Sequence, residues 1–352
     1  MSLALPHARP AALAPGARPL TRLPLVTLYL SERCNSRCVT CDYWRHGVAD
    51  LTLERVRQLL PELARLGTEA VLFSGGEPLL NPEWAAMAQL LRAQGLKLWL
   101  LTSGLSLAKH AVRAAPLFDS VTVSLDGTNR DTYAAIRGLD AFDNVCAGMR
   151  AAAAAGMRVG VRVTLQRANY RELPRFVGLA RECGAQQVSF LAVDVANPHA
   201  FARQEPYGGE LALCATDLPL FEQLLSELER DNAAEFRSGF IAESPRKLRG
   251  LYQYFAAVLG QGAYPPVRCN APEFSAVLDA RGLLRPCFFI PGPPVAQVSA
   301  PGGLSAALNA PAMSQLRAQI RAGERVECRA CVCQMWREPG THMQLLPAMR
   351  GP

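Results

Sequence analysis

Three cysteines lie within eight residues near the start of the chain, at Cys34, Cys38 and Cys41, with the spacing C-x3-C-x2-C. An apolar run directly precedes them. Three thiolates from one loop can bind three irons of a four-iron, four-sulfur (4Fe-4S) cluster and leave the fourth iron without a protein ligand. The spacing therefore predicts a metal centre whose fourth iron a reactive small molecule could coordinate.

Two other uses of these thiols are open. A disulfide is disfavoured because the first residues do not resemble a secretory leader and cytosolic reductants keep thiols reduced. A structural zinc ion takes four ligands, typically as two close pairs, and no fourth ligand lies near this trio. We therefore expect a cytoplasmic chain in which the trio binds an iron-sulfur cluster.

A second group of cysteines lies near the end of the chain. Its members are Cys269, Cys287, Cys328, Cys331 and Cys333. Residues 274–279 and 283–289 alternate like the strands of a β-hairpin, with Cys269 before the hairpin and Cys287 on its return strand. Two hairpin thiols and a close C-x2-C pair would make a four-thiolate site, for which zinc and a second iron-sulfur cluster compete.

Length and composition set broad limits on function. The 352 residues are half hydrophobic, which is enough for one large domain and a smaller one. The net charge of +7 would suit an anionic small molecule. Without a dense Lys/Arg block, no nucleic-acid partner is expected. No apolar run approaches the eighteen or so residues of a membrane helix, so no membrane association is expected. Cys146, Cys183 and Cys214 look like core thiols and receive no role.

Alternating strands and helices are predicted to hold these reactive side chains in place. From Leu25 onward, β-rich apolar runs alternate with helical periodicity, as in βα repeats. The predicted strands span residues 26–30, 70–73, 97–101, 120–125, 159–165 and 187–193. The helices predicted between them span residues 52–66, 82–94, 108–115, 142–155 and 170–183. Six units predict an α/β fold with a partial parallel (β/α)6 barrel, TIM-barrel-like, whose strand carboxyl ends share the active-site face.

The second predicted strand ends in Gly75, Gly76, Glu77 and Pro78. Two glycines allow a ligand to approach the backbone closely, and the Glu77 carboxylate can accept a hydrogen bond from an ammonium group. These properties suit the amino end of an amino-acid ligand. As a lone motif, Gly-Gly-Glu-Pro could equally be an ordinary turn.

Other polar residues lie at the ends of the next strands. Ser103, Ser124 and Asp126 are suited to ribose hydroxyls or to a ligand carboxylate, although turn and cap roles are open for each. Arg162 on strand five is predicted to point inward, where its planar guanidinium could pair with a carboxylate. Strand alternation places Thr164 on the same face as Arg162.

The cysteine trio, followed one βα unit later by Gly-Gly-Glu-Pro, resembles the radical S-adenosylmethionine (radical SAM) superfamily. The resemblance implies that Cys34, Cys38 and Cys41 hold a 4Fe-4S cluster and that the Gly-Gly-Glu-Pro motif holds the methionine ammonium of S-adenosylmethionine. The reduced cluster then cleaves this cofactor, and the resulting 5'-deoxyadenosyl radical abstracts a hydrogen from the substrate. Thr40 stands where this family often has an aromatic residue, with Tyr43 and Trp44 just beyond it.

The terminal cysteines resemble those of the twitch domain, a shortened SPASM domain that binds one auxiliary 4Fe-4S cluster. The shared pattern is C-x12-G-x4-C followed by C-x2-C. The resemblance implies the ligands Cys269, Cys287, Cys328 and Cys331, with Cys333 either spare or in place of Cys331. An auxiliary cluster could accept an electron from a substrate radical, which makes the reaction an oxidation, or it could orient the substrate.

These patterns divide the chain into three parts. Residues 1–20 are expected to be a flexible arm, residues 21–235 the radical SAM partial barrel, and residues 236–352 a small α+β twitch/SPASM-like domain. The predicted protein is an oxidoreductase-type radical SAM enzyme with a small-molecule substrate, because about twenty loose residues ahead of the barrel are too few for a leader-binding domain. The alternatives are a maturase of a ribosomally made peptide and a non-catalytic iron-sulfur or zinc protein. The resemblance also implies a reductant such as flavodoxin or ferredoxin.

Overall fold

The computed structural model describes residues 19–197, 200–203, 209–290, 298, 303–338 and 341. The strands in these ranges are β1 (Leu25–Ser31), β2 (Ala70–Gly75), β3 (Lys97–Thr102), β4 (Ser120–Ser124), β5 (Val159–Leu165), β6 (Gln187–Ala192), β7 (Ser275–Leu278) and β8 (Leu284–Arg285). The helices are α1 (Tyr43–His46), α2 (Leu53–Arg65), α3 (Trp84–Arg92), α4 (Leu107–Ala114), α5 (Arg130–Arg137), α6 (Phe142–Ala154), α7 (Leu173–Glu182), α8 (Leu218–Asp231), α9 (Ala233–Ser238), α10 (Pro245–Val258), α11 (Gly303–Leu308), α12 (Pro311–Arg321) and α13 (Val326–Arg329).

All the described strands belong to one sheet, in the order β6-β5-β4-β3-β2-β1-β7-β8. Strands β1 to β6 are parallel neighbours in chain order, and β6 and β8 are the edges of the open sheet. The predicted partial parallel barrel is therefore confirmed, with each predicted strand end within two residues of the observed one. The carboxyl ends of β1 to β6 lie along the same edge of the sheet, where a site can be assembled.

The helices pack against the sheet through apolar faces. In α2, the Thr52 hydroxyl accepts a hydrogen bond from the Arg55 backbone N at 3.2 Å, as an N-cap does, and Val56, Leu59 and Leu63 are buried. Strand β1 is buried at all seven positions because it lies inside the sheet with both faces covered. No helix in the described ranges is long and apolar enough to cross a membrane.

Four short helices were not anticipated from the sequence, namely α1, α5, α9 and α13. Helix α5 matters most for the site. The Asn129 side chain caps its first turn by accepting from the Thr132 backbone N at 3.0 Å. Gly138 ends it with a φ of +76°, and a Cβ at this position would collide with the Arg37 carbonyl oxygen. The end of α5 therefore lies directly against the cysteine loop.

The predicted C-terminal hairpin is present and extends the barrel sheet. Strand β7 pairs parallel with β1, and β8 pairs antiparallel with β7. The Asp279 side chain forms the turn by accepting from the backbone N of Arg281 and of Leu283. The prediction that Cys287 lies on the return strand is wrong, because β8 ends at Arg285. The chain bends there, and the backbone N–H groups of Phe289 and Ile290 turn toward the Cys287 sulfur.

The two predicted domain boundaries, at residues 20 and 235, fall where the chain is hydrogen-bonded or helical. The Leu20 backbone N and O are hydrogen-bonded to the Asn309 side chain at 2.7 and 3.1 Å, whereas residues 1–18 of the predicted arm lie outside the described residues. The boundary at 235 falls inside α9, and α10 beyond it packs on α8 and β6. The division into separate domains stays a prediction.

Candidate functional site

The loop that carries Cys34, Cys38 and Cys41 begins just after β1, at the carboxyl edge of the sheet. Neighbouring backbone holds its first residues, because the N of Glu77 donates to the Arg33 carbonyl oxygen at 2.8 Å. The Cys41 backbone N donates to the Cys38 carbonyl oxygen at 3.4 Å. The first bond fixes the start of the loop, and the second places Cys38 and Cys41 in one turn.

The two glycines of the Gly-Gly-Glu-Pro motif pack against the start of the cysteine loop. A Cβ on Gly75 would lie 2.6 Å from the Ser31 carbonyl oxygen, and φ of this glycine is +123°. A Cβ on Gly76 would collide with the Arg33 carbonyl oxygen. We expected close approach of a ligand, but the space beside both Cα atoms is filled by the protein's own backbone. The glycines thus fix the position of the cysteine loop against β2.

The Glu77 side chain is completely buried at the ends of β2 and β3. Its Oε1 accepts from the Thr102 hydroxyl at 2.8 Å and from the Leu79 backbone N at 3.1 Å. Its Oε2 accepts from the Ser103 backbone N at 2.7 Å. The cap role that a turn motif predicts is therefore present, and Pro78 begins the short 3-10 helix that Glu77 caps. Contact of Glu77 with an ammonium group stays a prediction.

Ser103 joins β3 to the cysteine loop. Its hydroxyl donates to the Asn35 side-chain oxygen at 3.0 Å, and its backbone N binds Glu77. Asn35 directly follows Cys34, so Ser103, Glu77 and the first cysteine form one connected group. Ser124 ends β4, opposite Arg162 in the register of β4 and β5, and its side chain is half-buried.

Asp126 and Arg137 form a buried ion pair beneath the cysteine loop. Asp126 Oδ2 accepts from Arg137 Nη1 at 3.1 Å, and Asp126 Oδ1 accepts from the Thr164 backbone N at 2.7 Å. Burial raises the pKa of the Asp126 carboxyl, which the Arg137 charge opposes. Both carboxylate oxygens thus have protein donors. Contact of Asp126 with ribose hydroxyls stays a prediction.

Sequence reasoning missed Arg137, although two local signals identify the helix that carries it. Asn129 is a preferred N-cap residue, and Gly138 is a typical residue just beyond a helix end. A helix between them places Arg137 in its last turn, next to the cysteine loop in space. The contact across about a hundred residues of chain could not be read from the sequence.

Burial changes the pKa values of the three thiols in the cysteine loop. Burial raises the pKa of all three thiols, to about 11 for Cys34 and about 12 for Cys41. The charge of Arg137 opposes this rise at each of them. Bound metal deprotonates a coordinating thiol outright, so iron would remove the cost that burial places on the thiolates.

Two aromatic residues that follow the trio take different positions. The Trp44 indole N–H donates to the Cys38 carbonyl oxygen at 3.4 Å, so Trp44 lies against the loop. Tyr43 packs edge-on against Tyr29 of β1, with ring centroids 5.7 Å apart. Tyr29 also lies 6.3 Å from Phe288, which follows Cys287. Tyr29 therefore packs against one aromatic residue that lies near each set of cysteines in sequence.

Arg162 of β5 lies within electrostatic range of Glu243 and of one terminal cysteine. Its charge lowers the pKa of Glu243 on the approach to α10 and that of Cys333, although burial raises both. The Nε atom of Arg162 is buried without a hydrogen-bond partner among the described residues. Arg162 thus faces the terminal cysteines, and its pairing with the carboxylate of S-adenosylmethionine stays a prediction.

The five terminal cysteines line a single apolar pocket. They come from the segment before β7, the bend after β8, helix α13 and the residues beyond α13. The pocket wall also includes Ile290, Ile320 and Met335. All eleven cysteines of the chain are free thiols, so none of the five is held in a disulfide.

These thiols act on one another electrostatically. Burial raises the pKa of Cys287 to about 12 and that of Cys328 to about 11, and the charge of Cys269 raises both further. Burial also raises the pKa of Cys331, to which the charges of Cys333, Cys287 and Cys269 add. Such a group of like charges is unfavourable without a cation, and it fits a metal centre.

A zinc ion and a 4Fe-4S cluster require different spacings of their thiolate ligands. Across the ranges that the structure describes, no three Cys, His, Asp or Glu side chains lie close enough together to ligate one metal ion. A single zinc ion needs its ligands at about 2.3 Å from a shared point. Each thiolate of a 4Fe-4S cluster binds a different iron, which needs a wider set. Which of these centres each group of cysteines holds stays a prediction.

The remaining cysteines lie outside both groups. Cys146 of α6 and Cys183 beyond α7 are buried and share a side-chain hydrogen bond, which raises the pKa of Cys146 and lowers that of Cys183. The Cys214 thiol donates to Asp217 Oδ2 at 3.0 Å. Cys146 lies within α6, Cys183 directly follows α7, and Cys214 precedes α8.

Comparison with known proteins defines the class. Residues 28–180 match the family model described as "Radical SAM superfamily". These residues contain the cysteine trio, the Gly-Gly-Glu-Pro motif, the end of β1 and the strands β2 to β5. This part of the chain, a little under half of its length, is a radical SAM domain.

Individual relatives are enzymes of varied reaction types. The chain is 33% identical over 187 residues to the pre-heme d1 synthase of Dinoroseobacter shibae, which covers 51% of the chain and 45% of the relative. It is 30% identical over 173 residues to the Fe-coproporphyrin III synthase of Methanosarcina barkeri, covering 47% and 43%. It is 30% identical over 215 residues to the PqqA peptide cyclase of Streptomyces rochei, covering 59% and 56%. The chain spans about half the length of the curated relatives it matches.

Solved structures share the fold over most of the chain. SuiB of Streptococcus suis bound to the precursor peptide SuiA superposes with a TM-score of 0.61 at 14% identity, covering 86% of this chain and 67% of SuiB. Native anSMEcpe with bound AdoMet and a Cp18Cys peptide gives 0.60 at 18% identity, covering 92% and 93%. At such identities the likeness shows the fold alone.

Proposed function

We propose that this chain is a radical SAM enzyme in which Cys34, Cys38 and Cys41 hold a 4Fe-4S cluster at the carboxyl end of β1. The observation that carries the proposal is the convergence of the three thiols with Glu77 and the Asp126–Arg137 pair at one edge of the sheet. When bound, the cluster and S-adenosylmethionine supply the one-electron chemistry that produces a 5'-deoxyadenosyl radical for hydrogen abstraction.

The chain's own residues bind, orient and shield that chemistry. Gly75 and Gly76 set the loop against β2, while Ser103 ties Asn35 to Glu77. The Glu77 carboxylate lies beside Cys34, because its charge raises the pKa of that thiol together with burial. An ammonium group brought next to the cluster would therefore find a fixed negative charge in a dry site.

We further propose that the terminal cysteines hold an auxiliary 4Fe-4S cluster in a twitch/SPASM-like arrangement. The shared apolar pocket and the mutual effects of the thiols on their pKa values support this assignment. Cys269, Cys287, Cys328 and Cys331 are the proposed ligands. Tyr29 connects the two sites, because it contacts Tyr43, which follows the cysteine trio, and Phe288, which follows Cys287. A substrate bound between the two sites could lose an electron to the auxiliary cluster, which makes oxidation the favoured outcome.

The proposed substrate is a small molecule. Support comes from relatives whose names state small-molecule chemistry, namely the pre-heme d1 synthase, the Fe-coproporphyrin III synthase and the GTP 3',8-cyclase of Paracoccus denitrificans. A peptide substrate is the second candidate, because SuiB was solved with its precursor peptide and the PqqA peptide cyclase is a relative. A flavodoxin or ferredoxin is the proposed reductant.

The deciding experiment measures reductive cleavage of S-adenosylmethionine. Full-length chain is reconstituted anaerobically, reduced with dithionite and assayed for 5'-deoxyadenosine. The variant with Cys34, Cys38 and Cys41 all changed to Ala should lose this product and keep the iron of the second site. Cys183→Ala is the control, because it removes a buried thiol outside both groups. Cleavage at the native rate in the triple variant would refute the proposed catalytic centre.

A second experiment addresses the substrate. Small-molecule extracts and a panel of short Cys- or Gly-rich peptides are added separately to the reconstituted enzyme. A small-molecule fraction that raises 5'-deoxyadenosine output, with no response to peptides, is the expected result. Stimulation by a peptide alone would favour the second candidate.

A further inference from the structure

The last turn of α5 runs along the cysteine loop. The Arg37 backbone N donates to the Arg137 carbonyl oxygen at 3.0 Å, and the Val39 backbone N donates to the Ile136 carbonyl oxygen at 3.0 Å. Arg37 and Val39 flank Cys38. The helix therefore presents Arg137 directly beside the middle cysteine of the loop.

The Arg137 side chain is held in place within the protein. Only 10% of it is exposed, and its Nη1 donates to Asp126 Oδ2 at 3.1 Å. The Thr164 backbone N holds the other carboxylate oxygen of Asp126, so this partner cannot swing away. The Arg137 Nε atom is buried and has no hydrogen-bond partner among the described residues. Asp126 thus binds one end of the guanidinium, and the Tyr133 side chain also lies close to it.

Arg137 is also a buried cation next to the cysteine loop, because its backbone carbonyl accepts a hydrogen bond from the residue that precedes Cys38. A guanidinium stays protonated at every pH of interest, so this charge is permanent. A buried cation is costly unless it is paired, and Asp126 provides the paired carboxylate.

We propose that Arg137 provides a fixed positive charge beside the cluster of the cysteine loop and thereby raises the reduction potential of that cluster. This role rests on the proposed function. Reduction adds one negative charge to the cluster, and a nearby cation in a dry site stabilises the reduced state more than the oxidised state. Arg137 is thus a positioning residue that sets how readily the electron needed for the reaction arrives.

The test is a redox titration of the reconstituted full-length chain, monitored by electron paramagnetic resonance without S-adenosylmethionine. The signal of the loop cluster is identified as the one that changes when S-adenosylmethionine is added afterwards. Arg137→Gln should make reduction of this cluster about tenfold less favourable, which for one electron is a shift of about 59 mV to lower potential. Arg137→Lys keeps the charge and should lie closer to the wild type.

Asp126→Asn should shift the reduction potential of the loop cluster in the direction opposite to Arg137→Gln. Removing the negative partner leaves the Arg137 charge uncompensated, so the potential should rise. Normal iron content with unchanged potentials in the Gln and Asn variants would overturn the proposal and leave Arg137 as part of the scaffold. If the Arg137→Gln variant does not load iron, the Asp126→Asn and Arg137→Lys variants provide the test. A reduction potential of the Asp126→Asn variant equal to that of the wild type would then refute the proposed role of Arg137. A wild-type chain without any signal that responds to S-adenosylmethionine would instead refute the proposed function.

Discussion

The Ser103 backbone N donates to Glu77 Oε2 at 2.7 Å, which ties the carboxyl end of β3 to that of β2. The same carboxylate binds the Thr102 hydroxyl and the Leu79 backbone N, so three protein donors surround one buried charge. Because a carboxylate has about four acceptor positions, one remains for a further donor. Glu77 can thus cap the turn and bind a ligand at the same time.

Changing Glu77 to Gln should weaken S-adenosylmethionine binding. Gln keeps the size and one acceptor oxygen but removes the negative charge, and hydrogen bonds to charged groups contribute about 1.5 to 3 kcal/mol. The expected loss is roughly tenfold to hundredfold in affinity. Equilibrium binding of S-adenosylmethionine, with iron content measured first, checks the result.

Thr102→Val is the matched control for Glu77→Gln. It removes one protein donor to the same carboxylate and leaves the charge in place. The control should lose stability without a comparable loss of cofactor affinity. Equal affinities of the Gln variant and the wild type at equal iron content would show that Glu77 only caps the turn.

The repeated βα pattern was enough to predict the barrel. Strands of parallel sheets are buried on both faces and read as continuous apolar runs, which is why residues 159–165 were placed correctly to the residue. The cysteine trio and Glu77 were found because each follows such a run directly. Their assembly at one edge then follows from the parallel topology.

Contacts between distant parts of the chain could not be predicted in this way. The role of Gly76 depends on the carbonyl of Arg33, which only the folded chain brings within reach. Arg137 was missed for the same reason. The second strand of the hairpin was predicted too long, because the alternation of residues 283–289 continues beyond the end of β8. In the structure the chain bends there, with the backbone N–H groups of Phe289 and Ile290 directed toward the Cys287 sulfur.

The metal content of the anaerobically reconstituted chain should be about eight irons, since three thiols hold one 4Fe-4S cluster and four thiols hold another. Cys287→Ala removes one of the thiols that line the terminal pocket and should reduce the content to about four irons. Cys146→Ala, outside both groups, should leave it unchanged. Iron and zinc are measured by elemental analysis. One zinc with about four irons in the wild-type chain would contradict the auxiliary cluster.

Single alanine variants should separate the roles of Cys331 and Cys333. The charges of Cys287 and Cys269 act on Cys331, which places its thiol within the group. Cys333 also faces the Arg162 and Lys247 charges. We therefore expect Cys331→Ala to lose about four irons and Cys333→Ala to retain them. The reverse pattern of iron loss would make Cys333 the ligand.

Gly138→Ala should disturb the cysteine loop, and Gly95→Ala is its matched control. The two glycines have nearly equal φ angles, +76° and +78°, so an alanine costs about 1 to 2 kcal/mol of backbone strain at either position. A methyl group at Gly95 meets no atom within 4 Å, whereas one at Gly138 collides with the Arg37 carbonyl oxygen.

The collision forces α5 and the cysteine loop apart, which should cost about a further 1 to 3 kcal/mol. Denaturant unfolding of the metal-free chain measures this difference between the two variants. Iron bound by the loop should also fall in Gly138→Ala and stay constant in Gly95→Ala, because only the first change moves the backbone beside Cys38. Equal stability and equal iron content in both variants would show that the loop can shift freely away from α5, and the close packing between them would then have no part in holding the cluster.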